Sequence, residues 1–168
     1  MKRITKVKYK APAVEIHFEE TAKSATKESI FKSVEKPHPD LELAFAGLVR
    51  HVYEILEIPV NSWKNGINVT GASFSKSEDS GVEGAVITCQ APLDDCQSPF
   101  CFNTPHMPFE PYSEGSEAPT MDADCVQQLE LVRKEADLYM GGKRAQQELD
   151  LAPAETDGKA AASGTEPS

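Results

Sequence analysis

Along the first twenty residues, apolar and polar side chains take turns. Lys6, Lys8 and Lys10 interleave with Val7 and Tyr9, and Glu15, His17 and Glu19 with Val14, Ile16 and Phe18. A period of two sends alternate side chains to opposite faces, so each run predicts a half-buried strand. Ala11 and Pro12 break the pattern and make the pair a hairpin. Lysines of one strand can then face glutamates of the next, each such pair worth ~0.2–1 kcal/mol. Ile30, Phe31 and Val34 predict a short third strand, ended by Pro37 and Pro39, since proline removes a ladder donor and restricts its predecessor.

From Asp40 the period changes. Leu41, Phe45, Leu48, Val52 and Ile55 recur in steps of four and three, with Ala44, Val49 and Leu56 widening the stripe, which predicts an amphipathic helix. Asp40 suits its N-terminus, as a cap or as a carboxylate on the positive end of the dipole, and Pro59 marks its end. His51 sits beside the stripe as a structural, partly buried histidine. After the Asn65-Gly66 turn, Ile67, Val69, Ala72 and Phe74 predict a strand whose alternation slips at Gly71, the mark of a β-bulge. Val82 to Gln90 predicts its hairpin partner, with Ala85, Ile87 and Cys89 on one face. Phe100 to Phe102 predicts a short strand and Pro105 to Pro119 a long polar loop. Cys125, Leu129, Val132, Ala136 and Tyr139 return to helical steps, interrupted at Gly141 and Gly142 before Ala145 and Leu149 resume them.

These elements predict an α+β domain: a mainly antiparallel sheet of about six strands in a βββαβββα order, with two helices on one face. The domain is expected to span residues 1–151. Residues 152–168 contain no large apolar side chain and are expected to form a disordered C-terminal tail.

The chain has 168 residues and a net charge of −10, which argues against a simple phosphate-tracking nucleic-acid binder. The charge is unevenly placed. Residues 1–36 carry nine basic and five acidic side chains, a net +4, while residues 37–168 carry eight and twenty-two, a net −14. The basic end keeps one nucleic-acid reading open: single-stranded binding by Lys6, Lys8, Tyr9 and Lys10. The absence of a signal-peptide or membrane-span pattern predicts a cytoplasmic protein that does not enter a membrane. Its four cysteines are then read as reduced thiols.

Thiolate and imidazole are the ligands zinc prefers, so Cys96, Cys101 and His106 are the weak metal candidates. Gaps of six and four residues between Cys89, Cys96 and Cys101 lack the close cysteine pair of most structural zinc sites, and no metal or cofactor is expected. Asp94 and Asp95, with Glu78, Asp79 and Glu83, lack an EF-hand or nuclease pattern, and no phosphate-binding glycine loop or nucleophile elbow is present. An enzyme is not expected. Two clusters could still bind a ligand: Asn103, Thr104, Pro105 and His106, and the run Tyr139 to Gln146, in which Lys143 and Arg144 could grip a phosphate or carboxylate. Cations after a helix also suit its dipole, which gives the second cluster an ordinary structural reading.

Val69-Thr70-Gly71, Gly84-Ala85-Val86-Ile87-Thr88, Asn103-Thr104-Pro105-His106 and the run Tyr139 to Gln146 resemble a recurrent family of small proteins of tailed bacteriophages and prophages with no assigned activity. The resemblance covers about residues 60–150 and implies a phage origin and the host bacterial cytoplasm. The first expectation is therefore a non-enzymatic, homo-oligomeric phage accessory protein that binds a macromolecular partner, with a protein foremost, in DNA replication, recombination or counter-defence. The alternatives are a small-ligand or nucleotide-binding sponge, with Asn103, Thr104, His106, Lys143 and Arg144 converging on a phosphate, and a single-stranded nucleic-acid-binding protein.

Overall fold

The computed structural model describes residues 1–145, so the domain end at 151 and the tail expected over 152–168 lie outside the described residues. The fold is α+β. The strands are β1 (Lys2–Lys10), β2 (Ala13–Ala22), β3 (Ala25–Ser33), β4 (Asn68–Lys76), β5 (Glu83–Ala91), β6 (Phe100–Asn103) and the two-residue β7 (Met107–Pro108). They form one antiparallel sheet in the order β3-β2-β1-β4-β5-β6, with β7 also beside β5. The helices are α1 (Pro39–Ala46), α2 (Val49–Ile55) and α3 (Ala123–Met140).

One face of the sheet carries the core. Val7, Val14, Ile16, Ala72, Ala85, Ile87 and Cys89 are buried there, against Leu41, Phe45, Leu48 and Val52 from the first helical segments and Leu129, Val132 and Ala136 from α3. The predicted bulge in β4 is present, with the register slipping between Val69 and Gly71. A second bulge between Ile4 and Lys6 turns Ile4 inward along with Val7, although they stand three positions apart, an odd spacing that would otherwise put them on opposite faces.

The helix expected from Asp40 onward is divided. Gln128 of α3 explains the division: its Nε2 donates to the carbonyl of Ala44 at 2.8 Å, so Leu48 turns its N–H to Phe45 instead, at 3.0 Å. That tightens one turn and separates α1 from α2. Gly47 makes room for the crossing, since a Cβ there would stand 2.4 Å from Gln128 Nε2. The N-cap is His38, whose Nδ1 accepts from the N–H of Asp40 at 3.2 Å, while Asp40 lies in the acidic first turn.

The third strand is longer than its apolar residues foretell. Pairing with β2 runs from Val14 opposite Ser33 to Ala22 opposite Ala25, and Val34 falls beyond it, exposed. An edge strand needs only one neighbour for its backbone, so the polar stretch 25–29 extends without any hydrophobic period. The sheet order puts β1 beside β4 at its centre, joined by the pairs Lys6–Ser73, Val7–Ala72 and Lys8–Gly71.

Candidate interaction site

The Asn103-Thr104-Pro105-His106 tetrad interrupts the edge of the sheet between β6 and β7. Asn103 is the last ladder residue of β6, opposite Thr88. Thr104 then grips β5 twice: its N–H donates to the Ile87 carbonyl at 2.9 Å, and its hydroxyl accepts from the Ile87 N–H at 2.9 Å. Thr104 is buried, so its hydroxyl serves the sheet rather than a ligand. His106 lies against Gly84, with Nε2 2.8 Å from Ser75 Oγ. We expect Thr104→Val, which keeps the shape but leaves the Ile87 N–H without a partner, to cost about 1–2 kcal/mol in chemical denaturation, with Thr104→Ser close to wild type.

Lys143 and Arg144 lie elsewhere. Gly141 and Gly142 end α3 with the paired bonds of a Schellman turn, Lys143 N–H to Leu138 and Gly142 N–H to Tyr139, and Gly142 has a φ of 110°. The chain then folds back over the β3–α1 connection. Lys143 Nζ donates to Asp40 Oδ2 at 2.7 Å and to Glu135 Oε2 at 2.8 Å, and the carboxylate of Glu135 is almost fully buried. These two partners raise the Lys143 ammonium above its ordinary pKa, led by the bond to Asp40, and the same bond holds the Asp40 carboxyl low. Arg144 Nε donates to Glu35 Oε2 at 2.6 Å, its guanidinium lies 3.6 Å from the centroid of the Tyr139 ring, and its Nη1 donates to the Tyr139 carbonyl. Arg144 bridges Pro37 beyond β3, at the opposite side of the sheet from Asn103 and His106. The five residues expected to converge on a phosphate are thus divided, and both cations are already matched by carboxylates.

The N-terminal lysines are also separated from their aromatic. Lys6 and Lys8 lie on the face of the sheet opposite the helices, where Lys6 stands opposite His17 and Ser73 and Lys8 opposite Glu15 and Gly71. Tyr9 points to the helix side, stacks 6.3 Å from Phe45 and donates to Glu42 Oε1 at 2.6 Å. Burial and that carboxylate push its phenol up to about 12. A ring so engaged is not offered to a nucleotide base, and Lys10 at the end of β1 gains no stacking partner from it.

Cys96 and Cys101 are exposed, and Cys101 Sγ donates to the Pro99 carbonyl at 3.8 Å. Among the described residues no group of three or more His, Cys, Asp or Glu side chains is placed to hold a metal ion, so Cys96, Cys101 and His106 are not gathered as ligands. Cys89 and Cys125 are buried, and burial pushes both thiols up to about 12. Titration of the native protein with an aromatic disulfide at pH 8 should therefore modify two thiols quickly, and the other two only on unfolding. His51 is buried at the edge of a cavity of about 160 Å³ that Cys125 and Met121 also line, and its Nδ1 stands 3.5 Å from Glu54 Oε2.

At one end of the sheet Arg3 and Arg133 converge on Glu83. Arg3 Nε reaches Oε1 at 3.0 Å and Arg133 Nη1 reaches Oε2 at 2.9 Å. The Arg133 guanidinium also lies 3.8 Å from the centroid of the Phe74 ring. Burial would raise the Glu83 carboxyl, but the two guanidiniums outweigh it and hold it below its ordinary value.

The feature best suited to a partner is at β6. Phe100 and Phe102 project on the helix-bearing side, opposite Ala91 and Cys89, and Trp63 from the 56–67 loop covers them at centroid distances of 5.9 and 4.9 Å. Phe100 stays 51% exposed and Leu93 in the next loop 47%. Among the described residues β6 pairs only with β5, so its outer backbone edge is open beside these rings. Asp95 is exposed nearby in sequence, while Asp94 is engaged by Lys64 at 2.7 Å. Phe100 to Phe102 are legible as a strand in the sequence, whereas Trp63 went unassigned. The available signal was two phenylalanines on one side of a short strand, with the chain's single tryptophan in a loop.

No protein-family model, curated protein or solved structure matches this chain. No helix among the described residues is long and apolar enough to cross a membrane.

Proposed function

We propose that this chain is a non-enzymatic accessory protein that binds a protein partner through the aromatic edge formed by Trp63, Phe100 and Phe102. The partially exposed ring cluster beside an open strand edge carries this reading. Large aromatic side chains dominate protein interfaces, and an open edge offers backbone groups to an added strand. The partner that fits is an extended segment with apolar side chains and flanking cations, which complement Asp95 and the net charge of −10. The sequence resemblance to small phage and prophage proteins supports a setting in phage DNA replication, recombination or counter-defence.

Two alternatives draw less support. A nucleotide sponge would need Lys143 and Arg144 free, and both hold carboxylates. Single-stranded nucleic-acid binding would need Tyr9 exposed.

Affinity capture from phage-infected cells, with wild type and Trp63→Ala/Phe100→Ala run in parallel, tests the proposal. A stoichiometric protein retained by wild type and lost by the folded double variant is the expected result. Equal retention by both, or recovery of nucleic acid alone, would overturn it.

A further inference from the structure

The second open edge of the sheet, β3, has features that β6 lacks. It runs nine residues, and among the described residues it pairs only with β2. A two-residue loop at Lys23 and Ser24 joins the strands, with Ala22 opposite Ala25. Such a loop makes its flanking pair hydrogen-bonded, and bonded pairs then alternate along the hairpin. Thr21 fixes the phase. Its N–H donates to the Met1 carbonyl at 2.9 Å and its carbonyl accepts from the Met1 amino group at 2.8 Å, so it turns away from Thr26 opposite. Thr26, Glu28, Ile30 and Lys32 therefore direct their N–H and C=O groups outward, along the open edge.

The side chains of these same residues lie on the face opposite the helices. Ile30 is 57% exposed and Lys32 is exposed, its Nζ 3.4 Å from Glu15 Oε2 on β2. Glu28 and Lys32 place opposite charges at equal distances on either side of the apolar Ile30. From this self-complementary edge we infer that β3 pairs antiparallel with β3 of a second copy of this chain, about a two-fold axis at Ile30. In that register Ile30 faces the partner's Ile30, and Glu28 faces the partner's Lys32, twice by symmetry. Every such pair exchanges outward backbone bonds, and exposed Val34 lies opposite the partner's Thr26.

Other symmetric registers are less favourable. Centring on Glu28 or Lys32 sets like charges directly opposite, which destabilises a sheet, and centring on Ser29 or Phe31 sets a charge opposite Ile30 and gives up both Glu28–Lys32 pairs. Glu28 and Lys32 thus select one register as well as contribute to it. A one-strand contact buries little area, so the association is expected to be concentration-dependent in the micromolar range. This inference stands apart from the β6 reading, because it concerns the other edge of the sheet.

Sedimentation velocity of the full chain across micromolar concentrations provides the test, with thermal melts confirming that each variant folds. Wild type should pass from monomer to dimer. Glu28→Lys and Lys32→Glu should each weaken the dimer at least ten-fold, since each sets like charges opposite, and the double exchange should restore it. Three results would each overturn the inference: a wild type monomeric throughout, single variants that dimerise like wild type, or a ring larger than a dimer.

Discussion

Gly84→Val is expected to destabilise the protein by about 3 kcal/mol, the upper part of the range for forcing extra methyl groups into a packed site. For a chain of this size that lowers the thermal midpoint by roughly 6–12 °C. The reason lies in what occupies the space. A Cβ on Gly84 would stand 2.5 Å from the His106 ring and 2.8 Å from the Met107 carbonyl oxygen. A ring at the end of a side chain can swing aside. The Met107 carbonyl belongs to β7, which is held beside β5 by the Gly84–Pro108 and Ala85–Met107 pairs and by Phe109 N–H donating to the Glu83 carbonyl. The substitution must push β7 away from the sheet. Differential scanning calorimetry reads the midpoint, and faster amide exchange at Phe109 than at Ile87 would show that the loss is local to β7. A midpoint within 2 °C of wild type, on the same size scaling, would contradict this packing.

Glu83→Gln should have a comparable effect by a different route. Glutamine keeps the shape but removes the charge that two guanidiniums share. Breaking a buried ion pair from one side costs about 3–5 kcal/mol, and the partial exposure of Glu83 reduces this to about 2–3 kcal/mol. The pH dependence gives a second readout. The folded-state pKa of Glu83 is depressed below 4.5, so its contribution is present above that value and is lost as pH falls through the folded-state value. Wild type should therefore lose stability on acidification below about 4.5 more steeply than Glu83→Gln, and the two midpoints should approach each other in acid. Parallel curves down to pH 3 would show that Glu83 acts through shape alone.

Much of the fold was legible because its signals are local. The period of two in β1 and β2, the slip at Gly71 and the helical stripes at 41–55 and 125–139 each report burial of one face. What was not legible depended on distant partners. Gln128 divides the first helix from more than eighty residues away, and no pattern near Gly47 reveals a side chain arriving from α3. The extent of β3 was hidden because an edge strand built on backbone pairing needs no apolar period. The candidate site fared worse for a related reason. Thr104, His106, Lys143 and Arg144 stood out as polar groups at element ends, where ligand sites and structural caps look alike in sequence. In the folded chain all four have structural partners.

The seam between β1 and β4 has a consequence for how this chain reaches its fold. On either side of it, β1-β2-β3 and β4-β5-β6 are ribbons of strands consecutive in sequence, formed by closing short loops. The seam joins them across more than sixty residues through three residue pairs. Closing a long loop costs entropy before its contacts repay it. The ribbons can therefore form early and separately, while docking across Val7 and Ala72, with α1 and α3 laid over the join, becomes the late step that makes two halves into one cooperative unit.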